Sequence, residues 1–141
     1  MKALFCSKFD LSTSSSRVST GLFLLRLVTG IAFILHGAPK IASPFAWMPA
    51  EAGIPGFLQA LAALAEFGGG IALVIGLLVP LASIGLILTM AVAVFFHAAK
   101  GDGFVQGYEL ALVYLVISLL LFLAGPGKFS LDHVIKKRCK K

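Results

Sequence analysis

The stretch that decides the fold is residues 57–79, FLQALAALAEFGGGIALVIGLLV. A helix needs about 20 predominantly apolar residues to cross the hydrocarbon core of a bilayer, and this stretch supplies them. Because lipid offers the backbone no hydrogen-bond partners, a segment that spans it must be helical. The stretch carries one charge, Glu66, and its small residues Gly68, Ala72 and Gly76 recur every four positions. That spacing predicts a face on which a neighbouring helix approaches closely.

The composition of the whole chain is that of a membrane protein. Its 141 residues are 59% hydrophobic and 13% charged, and the mean hydropathy is +1.00. A soluble domain has about 25% charged and about 45–50% apolar residues. The net charge of +6 resides mostly in the two tails, so we interpret it as a signal of membrane topology and not of nucleic-acid binding. Cys6 and Cys139 lie at opposite ends and predict neither a disulfide framework nor a metal motif.

The apolar segments predict an all-α integral membrane protein, an antiparallel four-helix bundle that forms a single domain over residues 1–141. The predicted spans are about 20–36, 57–79, 80–97 and 108–124, and the predicted tails are 1–19 and 125–141. The motif HGAPK (36–40) is expected to close the first span, because proline disfavours continued helix. Between spans 1 and 2, three prolines and Trp47 predict an interfacial or partly re-entrant segment, with the indole at headgroup level.

The distribution of lysine and arginine predicts the orientation. One side of the bundle collects the basic residues of both tails, and the other side collects only Lys40 and Lys100. Basic residues near spans are enriched on the cytoplasmic side, so both termini are expected in the cytoplasm. The basic end of the chain is expected to contact anionic lipid.

Two charges inside predicted spans, Arg26 and Glu66, are expected to pair. Each lies near the middle of its span, and adjacent antiparallel helices would bring them together. A lone charge at the bilayer centre costs at least about 2.5 kcal/mol, which favours a partner. The alternatives are a wet functional cavity lined by both residues, or no contact between them.

Polar residues at the outer ends of three spans form the candidate ligand site. They are His36, Lys40, His97, Tyr108 and Glu109. If the fold brings them together, a quinone head group would find hydrogen-bond donors for its carbonyl oxygens and a proton source on reduction. Its apolar tail would lie among Phe33, Phe95 and Phe96 or in lipid.

Two other interpretations of the same outer residues stay open. Residues at span ends are easily accommodated there, so simple interfacial polarity explains them without a ligand. A metal or a haem held by His36 and His97, with Glu109, is the second alternative. We expect no dedicated metal site, because no further feature of the sequence supports one.

An ordered set of short motifs covers about residues 21–132. The motifs are LRL (25–27), HGAPK (36–40), EFGG (66–69), GLLVP (76–80), ELA (109–111) and AGPGKFSLD (124–132). Together they resemble the DoxX family of small bacterial membrane proteins. The resemblance implies a four-helix bundle in the bacterial cytoplasmic (inner) membrane. It also implies a relation to the membrane subunits of thiosulfate:quinone oxidoreductase and to family members joined to redox-protective partners.

The sequence therefore favours the membrane subunit of a quinone-linked oxidoreductase complex in sulfur or redox-stress metabolism. Quinone would be its cofactor, none is expected to be covalent, and a redox partner protein would hold the electron carrier, because no flavin, nicotinamide or nucleotide fingerprint is present. The alternatives are a non-catalytic membrane scaffold or assembly factor for a partner protein, and a small proton-coupled transporter that uses Glu66. Membrane lipid is an expected partner, nucleic acid is not, and homo-oligomerisation is left open.

Overall fold

The computed structural model describes residues 16–139, and this range consists of helices and their connections. The helices are α1 Ser16–Ala42, α2 Gly56–Ile75, α3 Val79–Ala99, α4 Glu109–Ala124 and α5 Leu131–Cys139. A single 3-10 turn, Ala50–Ala52, lies between α1 and α2, and a π-helical turn, Phe104–Tyr108, leads into α4. Most of the predicted N-terminal tail lies outside the described residues.

Within residues 16–139, four helical segments are long and apolar enough to cross a membrane. They are Ser16–Ala42, Gly56–Ile75, Val79–Ala99 and Phe104–Ala124. Their outward side chains are apolar: Leu35 is 70% exposed, Leu88 63% and Phe95 75%. A helix that is apolar on its outer face as well as its inner face is typical of a membrane span. The predicted all-α membrane architecture is therefore confirmed.

Two span ends lie elsewhere than predicted. Helix α1 continues through Pro39 to Ala42, although proline removes a helical hydrogen bond. Packing holds this part of α1 in place, since a Cβ added at Gly37 would lie 2.5 Å from the backbone nitrogen of Phe67 in α2. Helix α2 stops at Ile75, because Gly76 adopts a left-handed conformation with φ of 75° and its N–H bonds back to the carbonyl of residue 72.

Glycines bring α1 and α2 into close contact as an antiparallel pair. A Cβ added at Gly30 would lie 2.7 Å from the carbonyl oxygen of Gly70, and one at Gly70 would lie 2.7 Å from that of Gly30. Gly37 meets α2 farther along α1 but earlier along α2, which shows that the two helices run in opposite directions. Close backbone approach through glycine is the usual means of helix packing in lipid.

The predicted close-approach face of α2 is wrong at Gly68, where an added Cβ would meet only the side chain of Leu64 in its own helix. At Gly76, which ends α2, other segments do approach closely, since a Cβ there would meet the guanidinium of Arg26 and lie 2.8 Å from the Cβ of Ser130. Helix α2 uses the adjacent face, where Gly69 packs against Leu86 of α3 and Gly70 packs against α1.

The helices pack mainly in chain order, α1 on α2, α2 on α3 and α3 on α4. Helix α1 also touches α4 through the rings of Phe33 and Tyr114, whose centroids are 4.9 Å apart. The buried apolar core consists of Leu22, Phe33, Leu73, Val79, Leu86, Met90 and Leu121. The buried charged side chains, Arg26 and Glu66, lie on α1 and α2, whereas α3 and α4 each bury a serine, Ser83 and Ser118.

Candidate functional site

The central polar feature of the interior is an ion pair between Lys40 and Glu66. The ammonium Nζ donates to Oε1 at 2.5 Å and to Oε2 at 2.7 Å. The side chain of Glu66 is 3% exposed and that of Lys40 is 23% exposed. Helical side chains point toward the N-terminus of their own helix, so the long Lys40 side chain reaches back along α1 to Glu66. The pair compensates a carboxylate that would otherwise lie uncompensated in an apolar interior.

The predicted Arg26–Glu66 pair is wrong. Arg26 is 1% exposed, and its guanidinium donates instead to the carbonyl oxygens of Leu73, at 3.0 Å, and Phe129. The error is one of register between two antiparallel helices. Because Gly30 faces Gly70 across the helix contact, Arg26, one turn earlier in α1, lies opposite the last turn of α2. The same register brings Lys40 to Glu66.

The segment after α4 is tied to the ends of α2 and α3 by Asp132. Its carboxylate accepts from the backbone N–H of Leu78 at 2.8 Å and of Val79 at 2.9 Å. Its own N–H donates to the carbonyl of Gly76 at 3.0 Å. A carboxylate at a helix N-terminus satisfies unbonded N–H groups and complements the helix dipole. Asp132 and Arg26 therefore hold the residues of the AGPGKFSLD motif (124–132) against the bundle, which is a structural role.

The five predicted ligand residues do not form one bonded cluster. Among residues 16–139, no hydrogen bond, ion pair or ring contact joins any two of them. His36 is exposed on α1, and its ring contacts the edge of Tyr114 with centroids 6.2 Å apart. The Nδ1 atom of His97 lies 2.7 Å from a carboxylate oxygen of Asp102, and both side chains are more than a third exposed.

The two remaining predicted ligand residues open α4. Tyr108 packs against Phe104 with ring centroids 5.4 Å apart. Glu109 is half-buried and has no hydrogen-bond or ion-pair partner in the described part of the chain. Within that part, no group of three or more His, Cys, Asp and Glu side chains could hold a metal, which gives the alternative of a His36–His97–Glu109 metal site no support. A role of these residues in binding a ligand stays a prediction.

Sequence reasoning missed Gln59, which connects the site to its surroundings. It is 6% exposed, and its backbone carbonyl accepts from the indole N–H of Trp47 at 2.9 Å. The Trp47 ring in turn lies over Lys40, with Nζ 4.5 Å from the ring centroid. An amide within an apolar span must find hydrogen-bond partners. The presence of glutamine in the stretch 57–79 was therefore the signal that would have revealed this residue.

Comparison with known proteins identifies the family. The model of the family described as DoxX matches residues 21–99. The chain is 34% identical over 125 residues to the Escherichia coli (strain K12) protein described as inner membrane protein YqjF, a match that covers 84% of this chain and 94% of that protein. It is 29% identical over 119 residues to the Bacillus subtilis (strain 168) protein described as putative oxidoreductase CatD, covering 83% and 88% of the two chains. No solved structure matches the chain. These matches, together with the four candidate spans, show that this protein belongs to the DoxX family.

Proposed function

We propose that this protein is the membrane subunit of a quinone-linked oxidoreductase in the bacterial inner membrane. The observation that carries the proposal is the Lys40–Glu66 pair, a cation and a carboxylate joined by two hydrogen bonds within apolar helices. The descriptions of two relatives, one as an inner membrane protein and one as a putative oxidoreductase, support the location and the class of reaction.

The chemistry of the pair suits a quinone head group. The carbonyl oxygens of a quinone accept hydrogen bonds, and its reduction takes up protons together with electrons. An ammonium group has three donors, and Lys40 uses two of them on Glu66, which leaves one for a ligand carbonyl. Glu66 is placed to exchange a proton with Lys40. The electrons would come from a redox partner protein, since the sequence has no flavin or nicotinamide fingerprint.

Of the five predicted ligand residues, only Lys40 belongs to the proposed site. Lys40 contacts the ligand, and Glu66 replaces Glu109 as the nearest carboxylate. With both termini in the cytoplasm, as the basic residues predict, the exposed part of Lys40 faces the outer side of the membrane. The quinone tail would extend between the helices and lipid.

Retention of native quinone tests the proposal. Wild type, Lys40→Met and Lys100→Met would be purified in a mild detergent, and the extracted quinone would be measured per protein by mass spectrometry. Lys100→Met is the matched control, because Lys100 is an exposed lysine that also lies over a ring, 5.6 Å from the centroid of Phe96. We expect Lys40→Met to retain about tenfold less quinone, the equivalent of one charged hydrogen bond of about 1.5 kcal/mol. Equal retention in wild type and Lys40→Met, at unchanged helix content, would contradict the proposal.

A second candidate function is a non-catalytic scaffold that recruits a partner protein. The arrangement of the tail favours it: Asp132 anchors α5 to the bundle, while Lys137 and Arg138 on the same helix are exposed. Co-purification of a stable partner without quinone, lost in Lys137→Gln/Arg138→Gln, would select the scaffold. No specific observation favours the transporter, since Glu66 is bonded to Lys40 and nearly inaccessible.

A further inference from the structure

The buried side chain of Gln59 forms hydrogen bonds with the connection between α1 and α2. The amide of Gln59 accepts from the backbone N–H of Met48 at 2.9 Å and donates to the carbonyl of Ile54 at 2.9 Å. The side chain thus joins two points of segment 43–55 across the start of α2. Close packing adds to this attachment, since a Cβ added at Gly56 would lie 2.7 Å from the carbonyl oxygen of Phe45.

The same residue fixes the ring next to the ion pair. Trp47 directly precedes Met48, and its indole N–H donates to the backbone carbonyl of Gln59. The ring is therefore held at its own N–H and at the neighbouring backbone N–H. The ammonium of Lys40 is close to both this ring and the carboxylate of Glu66, and both groups attract it.

We propose that Gln59 is a positioning residue of the Lys40–Glu66 site, which acts by holding the Trp47 indole over the Lys40 ammonium. The indole gives the site a flat apolar wall beside a cation and a carboxylate. That combination suits a planar ring that bears carbonyl oxygens, because such a ring stacks on the indole while its oxygens accept hydrogen bonds. This ligand class rests on the proposed function, whereas the positioning of Trp47 by Gln59 does not.

A purely structural role for Gln59 would not require these particular partners. An apolar side chain at this position would avoid the cost of placing an amide in a membrane span. The amide instead bonds to the backbone N–H of Met48, the residue next to Trp47. The bond from the indole goes to the backbone carbonyl of Gln59 and does not depend on the side chain. Loss of the Gln59 side chain should therefore alter the environment of Trp47 specifically, apart from any general loss of stability.

The fluorescence of Trp47 tests the inference directly, because it is the single tryptophan of the chain. Gln59→Leu removes both amide hydrogen bonds at similar volume, and Gln106→Leu, at an exposed glutamine, is the matched control. We expect Gln59→Leu to shift the emission to longer wavelength and to increase acrylamide quenching at least about twofold, since losing a hydrogen bond shifts such an equilibrium by up to about tenfold. The control should match wild type in both measurements.

A second measurement leaves Gln59 intact, which keeps the inference testable even if Gln59→Leu does not fold. The double variant Lys40→Met/Glu66→Gln removes both charges together, so that neither is left unpaired. Its emission should differ from wild type, because the cation over the ring is gone, while its acrylamide quenching should stay low, because Gln59 still holds the segment. Lys100→Met should change neither.

Fluorescence of the variants without ligand tests the role of Gln59, whereas quenching by an added quinone tests the proposed function. If Gln59→Leu folds with wild-type emission and quenching, or if the double variant has wild-type emission, the inference is refuted. If Trp47 responds as expected without ligand, but added decylubiquinone never quenches it in wild type, the positioning role stands and the quinone function fails. Saturable quenching by decylubiquinone that weakens in folded Gln59→Leu would support both.

Discussion

The ion pair between Lys40 and Glu66 leads to the most specific energetic prediction. Lys40→Met would leave the carboxylate of Glu66 without a partner at a side chain that is 3% exposed. Breaking a buried pair costs about 3–5 kcal/mol. Because the Lys40 side chain is 23% exposed, water can partly compensate the remaining charge, so we expect about 2–4 kcal/mol. Glu66→Gln should cost less, since the amide oxygen still accepts a hydrogen bond from Lys40.

A double-mutant cycle in detergent measures the coupling. Wild type, Lys40→Met, Glu66→Gln and the double variant would be unfolded in mixed micelles with dodecyl sulfate, with helix content followed by circular dichroism. The double variant should be more stable than the sum of the single losses implies, with a coupling energy of at least about 1 kcal/mol. The same cycle on Arg26→Leu and Glu66→Gln should be additive within about 0.5 kcal/mol, because Arg26 shares no hydrogen bond with Glu66.

The two cycles together test the register in which α1 packs against α2, and coupling in the wrong pair would refute it. Additive losses for Lys40 and Glu66, with strong coupling between Arg26 and Glu66, would show that α1 and α2 pack with Arg26 opposite Glu66. Additivity in both cycles would show that Glu66 has no charged partner. Either result would remove the geometric basis of the proposed site.

Three further predictions follow from the packing, the helix caps and the charge distribution. Asp132→Ala should lower the free energy of unfolding by about 0.5–2 kcal/mol, the usual cost of losing an N-terminal cap, and Asp132→Asn by less; equal melting of Asp132→Ala and wild type would contradict the capping role. Gly37→Ala should destabilise by about 1–3 kcal/mol through overpacking, because its Cβ would meet α2 at 2.5 Å, whereas Gly21→Ala, with nothing within 4 Å, should melt like wild type or slightly higher; similar effects of the two would speak against the close helix contact. Cys139, which is exposed, and Cys6 should resist an impermeant maleimide added to intact cells and react after lysis, and labelling of either before lysis would overturn the cytoplasmic location of the termini.

The sequence was sufficient for the architecture because lipid leaves the backbone few alternatives. Apolar runs such as 57–79 must be helical in a membrane, and four such helices are found within residues 16–139. The register between the helices could not be predicted from the sequence in the same way. Hydropathy located the spans but not the register between them. Arg26 bonds to the carbonyl of Leu73, which lies about two helical turns along α2 from Glu66.

The candidate site was predictable only in part for the same reason. Lys40 was identified as a functional candidate from its position after the first span, but its partner depended on where α1 ends. The continuation of α1 through Pro39 reflects packing against α2, a tertiary effect that overrides the local preference of proline. Gln59 was detectable in principle as an amide within an apolar run, but its bonds to Met48 and Ile54 arise from the folded connection between the helices.

Equilibrium binding of decylubiquinone is the most direct test of the central claim, that the Lys40–Glu66 pair binds a quinone. Purified protein in mild detergent would be titrated while the emission of Trp47 is followed, with Lys100→Met as control and the charge-free Lys40→Met/Glu66→Gln as the test variant. We expect saturable quenching in wild type and in Lys100→Met, and a dissociation constant about tenfold higher in the test variant, equivalent to about 1.4 kcal/mol. An absence of saturable quenching in wild type, or the same dissociation constant in all three proteins, would contradict the claim.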